Sequence, residues 1–207
     1  MIIEGIHLNG FVHEAVCDAI RESGDWYEGP ILRAVAARRP TEGVIVDAGG
    51  HIGNHSVWWL EHVRPTRVFA FEPMPDTFAL LRSNLSCYSH AWALPLALSD
   101  EVGIVQILPD EVNRGRSHIS QDGTQPVLAI PLDSLDLVGV TLLKIDVEGW
   151  QAHVLRGAVR LLSSSHPALW VEDREGVVSE TLASLDLDGY RMVDEFSGAN
   201  YLWEWHV

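Results

Sequence analysis

Val44-Ile45-Val46-Asp47-Ala48-Gly49-Gly50-His51-Ile52-Gly53-Asn54 is an apolar, β-branched run that ends in a carboxylate, breaks into glycines and leads into a helical pattern. That is the signature of a buried parallel strand feeding a tight turn that opens a helix. Glycine has no Cβ, so such a turn brings bare backbone N–H groups close to a ligand. Twenty-five positions after Asp47, a second apolar run, Val68-Phe69-Ala70-Phe71, also ends in a carboxylate, Glu72. An acid at the tip of the second strand is placed to grip ribose hydroxyls. The two together imply an adenosine-containing cofactor.

The spacing chooses between cofactors. A dinucleotide fingerprint requires G-x-G-x-x-G, and the first of those glycine positions is Ala48. Counted from Asp47 the pattern is D-x-G-x-x-x-G, with His51 where a middle glycine often sits. This resembles the S-adenosylmethionine turn of class I methyltransferases, in which the strand-end acid holds the methionine end. A third run, Leu142 to Gly149, alternates apolar and polar residues. A period of two puts Lys144, Asp146 and Glu148 on one side, beyond the carboxyl end of a strand, where open α/β sheets bind ligands. Tyr190 to Asp194 and Tyr201 to Trp205 form strands joined by the turn Ser197-Gly198-Ala199-Asn200. Such a hairpin makes one strand of a parallel sheet antiparallel, as expected of methyltransferases and not of dinucleotide folds.

The remaining pattern fills in the sheet. Helices are expected over Phe11–Ser23 and Pro30–Arg39, the second opening on a proline at a favourable first position. Strands are expected over Gly43–Asp47, Arg67–Glu72, Trp92–Leu98, Thr141–Val147 and Ala168–Glu172. Helices Asn54–His62, Pro75–Ser86, Ala152–Leu162 and Val178–Leu185 alternate with them. The stretch after strand three, up to Pro126, is expected to be irregular apart from a short strand near Val105–Leu108. The fold class is therefore α/β, a Rossmann-like class I methyltransferase fold. Its sheet is mostly parallel, with helices on both faces and an antiparallel C-terminal hairpin strand. One domain is expected over residues 1–207, an N-terminal helical segment (1–40) preceding the α/β core (41–207).

Read in order, Val46–Ser56 (VDAGGHIGNHS), Phe69–Pro75 (FAFEPMP), Leu80–Leu85 (LLRSNL), Leu96–Asp100 (LALSD), Leu143–Trp150 (LKIDVEGW) and Val154–Ala158 (VLRGA) resemble the FkbM-type S-adenosylmethionine-dependent methyltransferases. The likeness runs from about Asp25 to Glu172, and Trp26-Tyr27-Glu28 is similar to the family's segment ahead of the first strand. Gly50 stands where the family usually has alanine, and Gln151 where it usually has an acid. The resemblance implies a cofactor site built from Glu28, Asp47, Gly49, Gly50, His51, Gly53, Asn54, Glu72, Pro73 and Leu98. Leu98, at the expected tip of strand three, is the adenine contact, with Pro73 and Met74 near the other edge. Asn113, Ser117 and His118 resemble the family's N-x-G-x-S loop and are the expected acceptor contacts. Asn84 is expected to cap its helix end.

Methyl transfer to a hydroxyl needs a base. Asp146 is the first candidate, Glu148 and His55 are others, and Lys144 is expected to keep the carboxylates ionised. His51 and His55 stand four apart, but the H-E-x-x-H glutamate is absent and His51 lies in the turn, so no metal is expected. Asp146 and Glu148 lack a defined third ligand for magnesium. Trp58, Trp59, Trp203 and Trp205 are expected in the core or at an interface.

A formal net charge of −15 excludes a phosphate-tracking surface, because nucleic-acid binders need clustered cations. The short basic stretches Arg38-Arg39 and Arg114-Gly115-Arg116 do not offset 29 acids. No apolar run reaches the roughly 18–20 residues that cross a bilayer, and Met1 to Gly5 lacks the features of a signal peptide. Two isolated cysteines, Cys17 and Cys87, suggest reduced thiols in the cytoplasm. The function expected is an S-adenosylmethionine-dependent O-methyltransferase acting on a small-molecule hydroxyl, on a sugar or secondary metabolite. A ribose 2′-O-methyltransferase on nucleic acid and a non-catalytic cofactor-fold module are the alternatives. The partners expected are the small-molecule acceptor and a second copy in a homodimer, with no nucleic acid and no membrane span.

Overall fold

The computed structural model describes residues 1–38, 42–110 and 113–206. A short antiparallel pair, β1 (Ile2–Ile3) and β2 (Ile6–His7), precedes helix α1 (Ala15–Ser23) and helix α2 (Gly29–Arg38). α1 starts four residues later than expected because the Glu14 carboxylate caps it, accepting from the Cys17 N–H at 3.0 Å. Arg39, the expected end of the second helix, lies outside the described residues, as does the boundary between residues 40 and 41.

The core then alternates. β3 (Val44–Ala48) leads through the glycine turn to α3 (Asn54–Trp58), and β4 (Arg67–Phe71) leads to α4 (Pro75–Leu85) and β5 (Ala91–Leu94). After β6 (Ala97–Leu98), β7 (Gly103–Leu108), β8 (His118–Ile119) and β9 (Gln125–Ile130) comes β10 (Val140–Ile145). Helices α5 (Gln151–Arg156) and α6 (Val159–Ser165), strand β11 (Ala168–Glu172), helix α7 (Val178–Ser184) and the hairpin β12 (Tyr190–Phe196) and β13 (Asn200–Trp205) complete the chain.

The seven-stranded sheet has the order β12-β13-β11-β10-β3-β4-β5. β13 runs antiparallel to both neighbours, as the hairpin required, while the pairs among β10, β11, β3, β4 and β5 are parallel. Successive strands leave β3 on one side and return to β10 on the other, so the crevice between these two carboxyl ends is a topological switch point. Side chains of β3 alternate between two cores: Ile45 packs on one face, and Val44, Val46 and Ala48 on the other. The N-terminal segment joins the first core through Leu8, Ile20 and Leu32.

Several expected boundaries move. Strand three ends at Leu94, because Pro95 has no N–H to continue the ladder. Ala97 and Leu98 instead pair with β9 in a second, four-stranded sheet of order β6-β9-β7-β8. The stretch expected to be irregular therefore builds a sheet beside the site. The helix after the glycine turn is α-helical only to Trp58, and Trp59–Val63 widens into a π-helical turn that lets Trp58 stack on His62 at 4.8 Å. The helix after β10 breaks at Gly157, where a Cβ would meet the Ser99 carbonyl oxygen at 1.9 Å. Trp58 and Trp59 lie in the core, while Trp203 and Trp205 are half-buried against the second cluster. Among the described residues no helix is long and apolar enough to cross a membrane.

Candidate active site

A cavity of about 240 Å³ opens at the switch point. The glycine turn forms its floor. Gly49 (φ +82°) lies so close to β10 that a Cβ would sit 1.8 Å from the Asp146 carbonyl oxygen. Beside it the Glu72 carboxylate accepts from the His51 N–H at 3.0 Å and from the Met74 N–H at 2.8 Å. Burial pushes this carboxyl up to about 7, against the pull of those two N–H groups and Lys144. Pro73, Met74 and Leu98 also line the cavity, Leu98 arriving on the second sheet and not on strand three. A close glycine backbone, an acid at the second strand's tip and an adjoining apolar wall fit S-adenosylmethionine.

Three acids, Asp146, Glu148 and Glu172, line the same cavity. Asp146 follows β10, its N–H held by the Ala48 carbonyl at 3.0 Å. Lys144 lies behind it, 1% exposed, with its Nζ 3.1 Å from Asp47 Oδ1, 3.5 Å from Asp146 Oδ2 and 3.1 Å from the Gly49 carbonyl. Burial alone would lower the Lys144 pKa, and the carboxylates of Asp47 and Asp146 more than reverse this, holding it above the usual lysine value. For Asp146, burial opposes ionisation. Lys144, a hydrogen bond from Glu172 and the His55 ring outweigh it, so its carboxyl sits below the ordinary range. The proton of that bond belongs to Glu172, whose carboxyl burial and the Asp146 charge push up to about 8. Glu148 is raised too, first by burial and then by Asp146.

Five expectations need correction. Asp47 is fully buried and does not reach the cavity, because Lys144 and the Ser56 hydroxyl, which donates at 2.6 Å, enclose its carboxylate. It therefore anchors the lysine and does not hold the methionine end. Lys144 does not line the cavity either and meets it only through Asp146. Gly53 (φ +89°) lies outside the cavity, packed so that a Cβ would meet Leu81 at 3.0 Å. Glu148 is in a turn at φ +46°, not on the strand face, yet it still reaches Asp146. Asn84 does not cap its helix: its amide donates to the Ile52 carbonyl at 2.7 Å and the Asn9 carbonyl at 2.9 Å, tying the N-terminal segment to the glycine turn.

Gly50, His51, Asn54, His55 and Glu28 do line the cavity, as do Asn113, Ser117 and His118. Asn54 exchanges two hydrogen bonds with the Tyr27 backbone, at 3.1 and 3.0 Å, which fastens the Tyr27-Glu28 segment to the turn. The loop of Asn113 is fastened too, since Arg114 pairs with Asp76 at 2.7 Å and lies 4.3 Å over the Phe11 ring. Three cavity residues other than glycine, Glu28 (φ +56°), His51 (φ +49°) and Glu148, adopt left-handed backbone, and such strain clusters at working sites. The sequence reading missed Glu172, Arg174, Trp150 and Arg116, all cavity residues. Glu172 was findable, because it ends an expected strand just as Asp146 does. It supplies the third carboxylate beside Asp146 and Glu148, with oxygens within 4.8 Å of one another. Arg174 pairs with Glu172 at 2.7 Å and Lys144 with Asp146, so these acids are balanced by cations and a shared proton.

Glu172 gives the clearest pH signal. Folded, it keeps its proton up to about pH 8, whereas an unfolded glutamate loses it near 4.5. The folded state therefore binds the extra proton, and stability is lost as pH rises through the folded value. Glu72 acts in the same sense up to about pH 7. His51, whose imidazole burial pushes down from 6.5, opposes both below that value. Above it the acids act alone. We expect stability to fall by about 1 kcal/mol between pH 6.5 and 8, after allowance for solvent screening. Melting curves across that range test this, and a flat profile, or an unchanged fall in Glu172→Gln, counts against the shared proton.

The strand order, the glycine turn and the acid after the second strand define the Rossmann-like methyltransferase fold. The family profile described as the methyltransferase FkbM domain matches residues 47–192, and the chain belongs to that family. The hexuronic acid methyltransferase AglP of Haloferax volcanii is 29% identical over 165 residues, covering 76% of this chain and 67% of AglP. The crystal structure of methyltransferase FkbM from Methylobacillus flagellatus shares the fold with a TM-score of 0.60 at 19% identity, covering 80% of this chain and 44% of that one. The precorrin-6y C5,15-methyltransferase of Geobacter metallireducens matches with a TM-score of 0.53 at 13% identity over 87% of this chain and 89% of that chain. The chain thus spans about two thirds of AglP and less than half of the Methylobacillus protein.

Proposed function

We propose that this chain is an O-methyltransferase that uses S-adenosylmethionine and acts on a hydroxyl of a small, sugar-like acceptor, a hexuronic acid foremost. The observation that carries it is one cavity lined by the glycine turn and Glu72 together with Asp146, Glu172 and His55. When bound, the cofactor supplies an electrophilic methyl group. Glu72 takes its ribose hydroxyls, and the glycine turn packs under the rest of the cofactor, its Gly49, Gly50 and His51 N–H groups being held by the Phe71 carbonyl and Glu72. Holding the acceptor in line is worth roughly 7–11 kcal/mol of barrier. Asp146, kept ionised by Lys144, accepts a hydrogen bond from a second hydroxyl of the acceptor, beside the one that is methylated. Its depressed pKa makes it a poor proton acceptor, which revises the expectation that it is the base. Arg116, Arg174 and His118 line the same region and suit an acceptor carboxylate, in keeping with the name of the Haloferax relative. The acid cluster is already neutralised by cations, so we propose that no divalent metal takes part and that chelator treatment leaves activity intact. The two free cysteines and the acidic balance support a cytoplasmic setting.

Calorimetry with S-adenosylmethionine, followed by a panel of hydroxylated acceptors headed by glucuronic acid, tests the proposal. Glu72→Ala should weaken cofactor binding at least about tenfold, because a charge-assisted contact of roughly 1.5–3 kcal/mol is lost. Binding of NAD(H) in place of S-adenosylmethionine overturns the assignment.

A further inference from the structure

Glu28 and Asn200 lie outside the segment that matches the family profile, yet they converge on one cavity side chain. The indole N–H of Trp170 donates to Asn200 Oδ1 at 2.7 Å, and Asn200 Nδ2 donates to Glu28 Oε1 at 2.9 Å. The other oxygen, Glu28 Oε2, faces His55 Nε2 at 3.2 Å. That nitrogen is buried and makes no hydrogen bond of good alignment among the described residues, so Glu28 meets it as an ion-pair contact. The edge of Trp170 meets the His55 ring at 5.1 Å and fixes its plane. The row Trp170–Asn200–Glu28–His55 therefore runs from two sheet strands, through a left-handed glutamate, to an imidazole on the cavity wall.

Building on the methyl-transfer reading, we propose that His55 is the general base and that Glu28 and Asn200 are its positioning residues. With Glu28 opposite Nε2, the proton of neutral His55 resides on Nε2 and Nδ1 carries the lone pair; the tautomer follows from the partner. As the acceptor oxygen bonds to the methyl carbon, the carbon–sulfur bond breaks and its electron pair stays on sulfur. The hydroxyl proton passes to His55 Nδ1 and afterwards to water. Glu28 stabilises the imidazolium so formed, as the third member of a catalytic triad does. Asn200 holds Glu28 to one rotamer through its other oxygen. This moves Glu28 from the cofactor contacts to the support of the base, and it gives the antiparallel strand β13 a part in the chemistry.

Two independent readouts test the assignment. The first is the ring ¹⁵N spectrum of the full-length chain with neither cofactor nor acceptor, the His55 signals being identified by their loss in His55→Gln. We expect a protonated Nε2 in the wild type and a mixture of tautomers in Glu28→Gln and Asn200→Ala. A wild type protonated on Nδ1, or spectra unchanged by Glu28→Gln, overturns the relay. The second is transfer from S-adenosylmethionine to glucuronic acid. His55→Gln should lower kcat by roughly 10²- to 10⁴-fold and Glu28→Gln by at least about tenfold, with KM and cofactor affinity changed less than about threefold. Loss of cofactor binding in Glu28→Gln with an unchanged tautomer would return Glu28 to the cofactor site. If the wild type binds S-adenosylmethionine but leaves glucuronic acid unmodified, the acceptor class fails and the tautomer measurement still decides the relay. Thermal melting of each variant separates these results from misfolding.

Discussion

Lys144→Met is expected to destabilise the fold by about 3–5 kcal/mol, the usual consequence of removing one partner from a buried ion pair. Asp47 is fully buried, and without the ammonium its carboxylate keeps only the Ser56 hydroxyl. The Gly49 carbonyl loses its donor as well, at the point where the turn leaves the strand. Chemical denaturation should show a lower midpoint with an unchanged slope. The double variant Asp47→Asn/Lys144→Met should recover a substantial part of the loss, because the stranded charge is gone and the two sites are in contact. Additive losses in the double variant, or a single variant within about 0.5 kcal/mol of the wild type, would contradict a coupled pair at the centre of the sheet.

Gly49→Ala is the second change expected to be severe. A Cβ at 1.8 Å from a backbone oxygen must push β3 and β10 apart, and no flexible side chain is there to yield. The left-handed conformation adds roughly 1–2 kcal/mol for any residue with a Cβ, and forced overpacking commonly costs about 1–3 kcal/mol. The sum is about 2–5 kcal/mol, which at its upper end is enough to unfold many domains of this size. Gly50→Ala is the control. Its added methyl would meet only the side chains of Leu81 and Ala70, at 3.2 and 3.3 Å, and Gly50 is not among the positive-φ residues. That agrees with the alanine usually found at this position in sequences resembling this one. We expect Gly50→Ala to cost less than about 1 kcal/mol and to keep S-adenosylmethionine binding, whereas any folded Gly49→Ala protein should lose it. Equal behaviour of the two variants would sever the link between the close strand contact and the cofactor floor.

The glycine turn, Glu72, Asp146 and the hairpin were legible in the sequence because each combines a periodic strand with a residue whose chemistry has few other uses at a strand end. What could not be read was direction. Asp47 and Asp146 both end apolar runs, but only the assembled sheet shows that one turns inward to Lys144 and the other outward to the cavity. The second sheet escaped because its strands are two to six residues long and mix Gly, Gln and Pro with the apolar positions. Glu172 was passed over because its strand shows no polar alternation. The link from Asn200 to Glu28 spans 172 positions, which no local pattern reports.

The three left-handed residues of the cavity, Glu28, His51 and Glu148, bear on how this chain responds to selection. At Glu28 and Glu148 a change to asparagine or glycine relaxes a strained backbone, and at Glu148 it also removes an acid beside Asp146. A library screened for heat resistance alone would therefore be drawn to the rim of the pocket as well as to left-handed residues elsewhere, such as Arg64 and Asp186. The most robust survivors would be the ones whose pocket no longer carries its carboxylates, and an activity screen run in parallel would find durability and turnover moving in opposite directions.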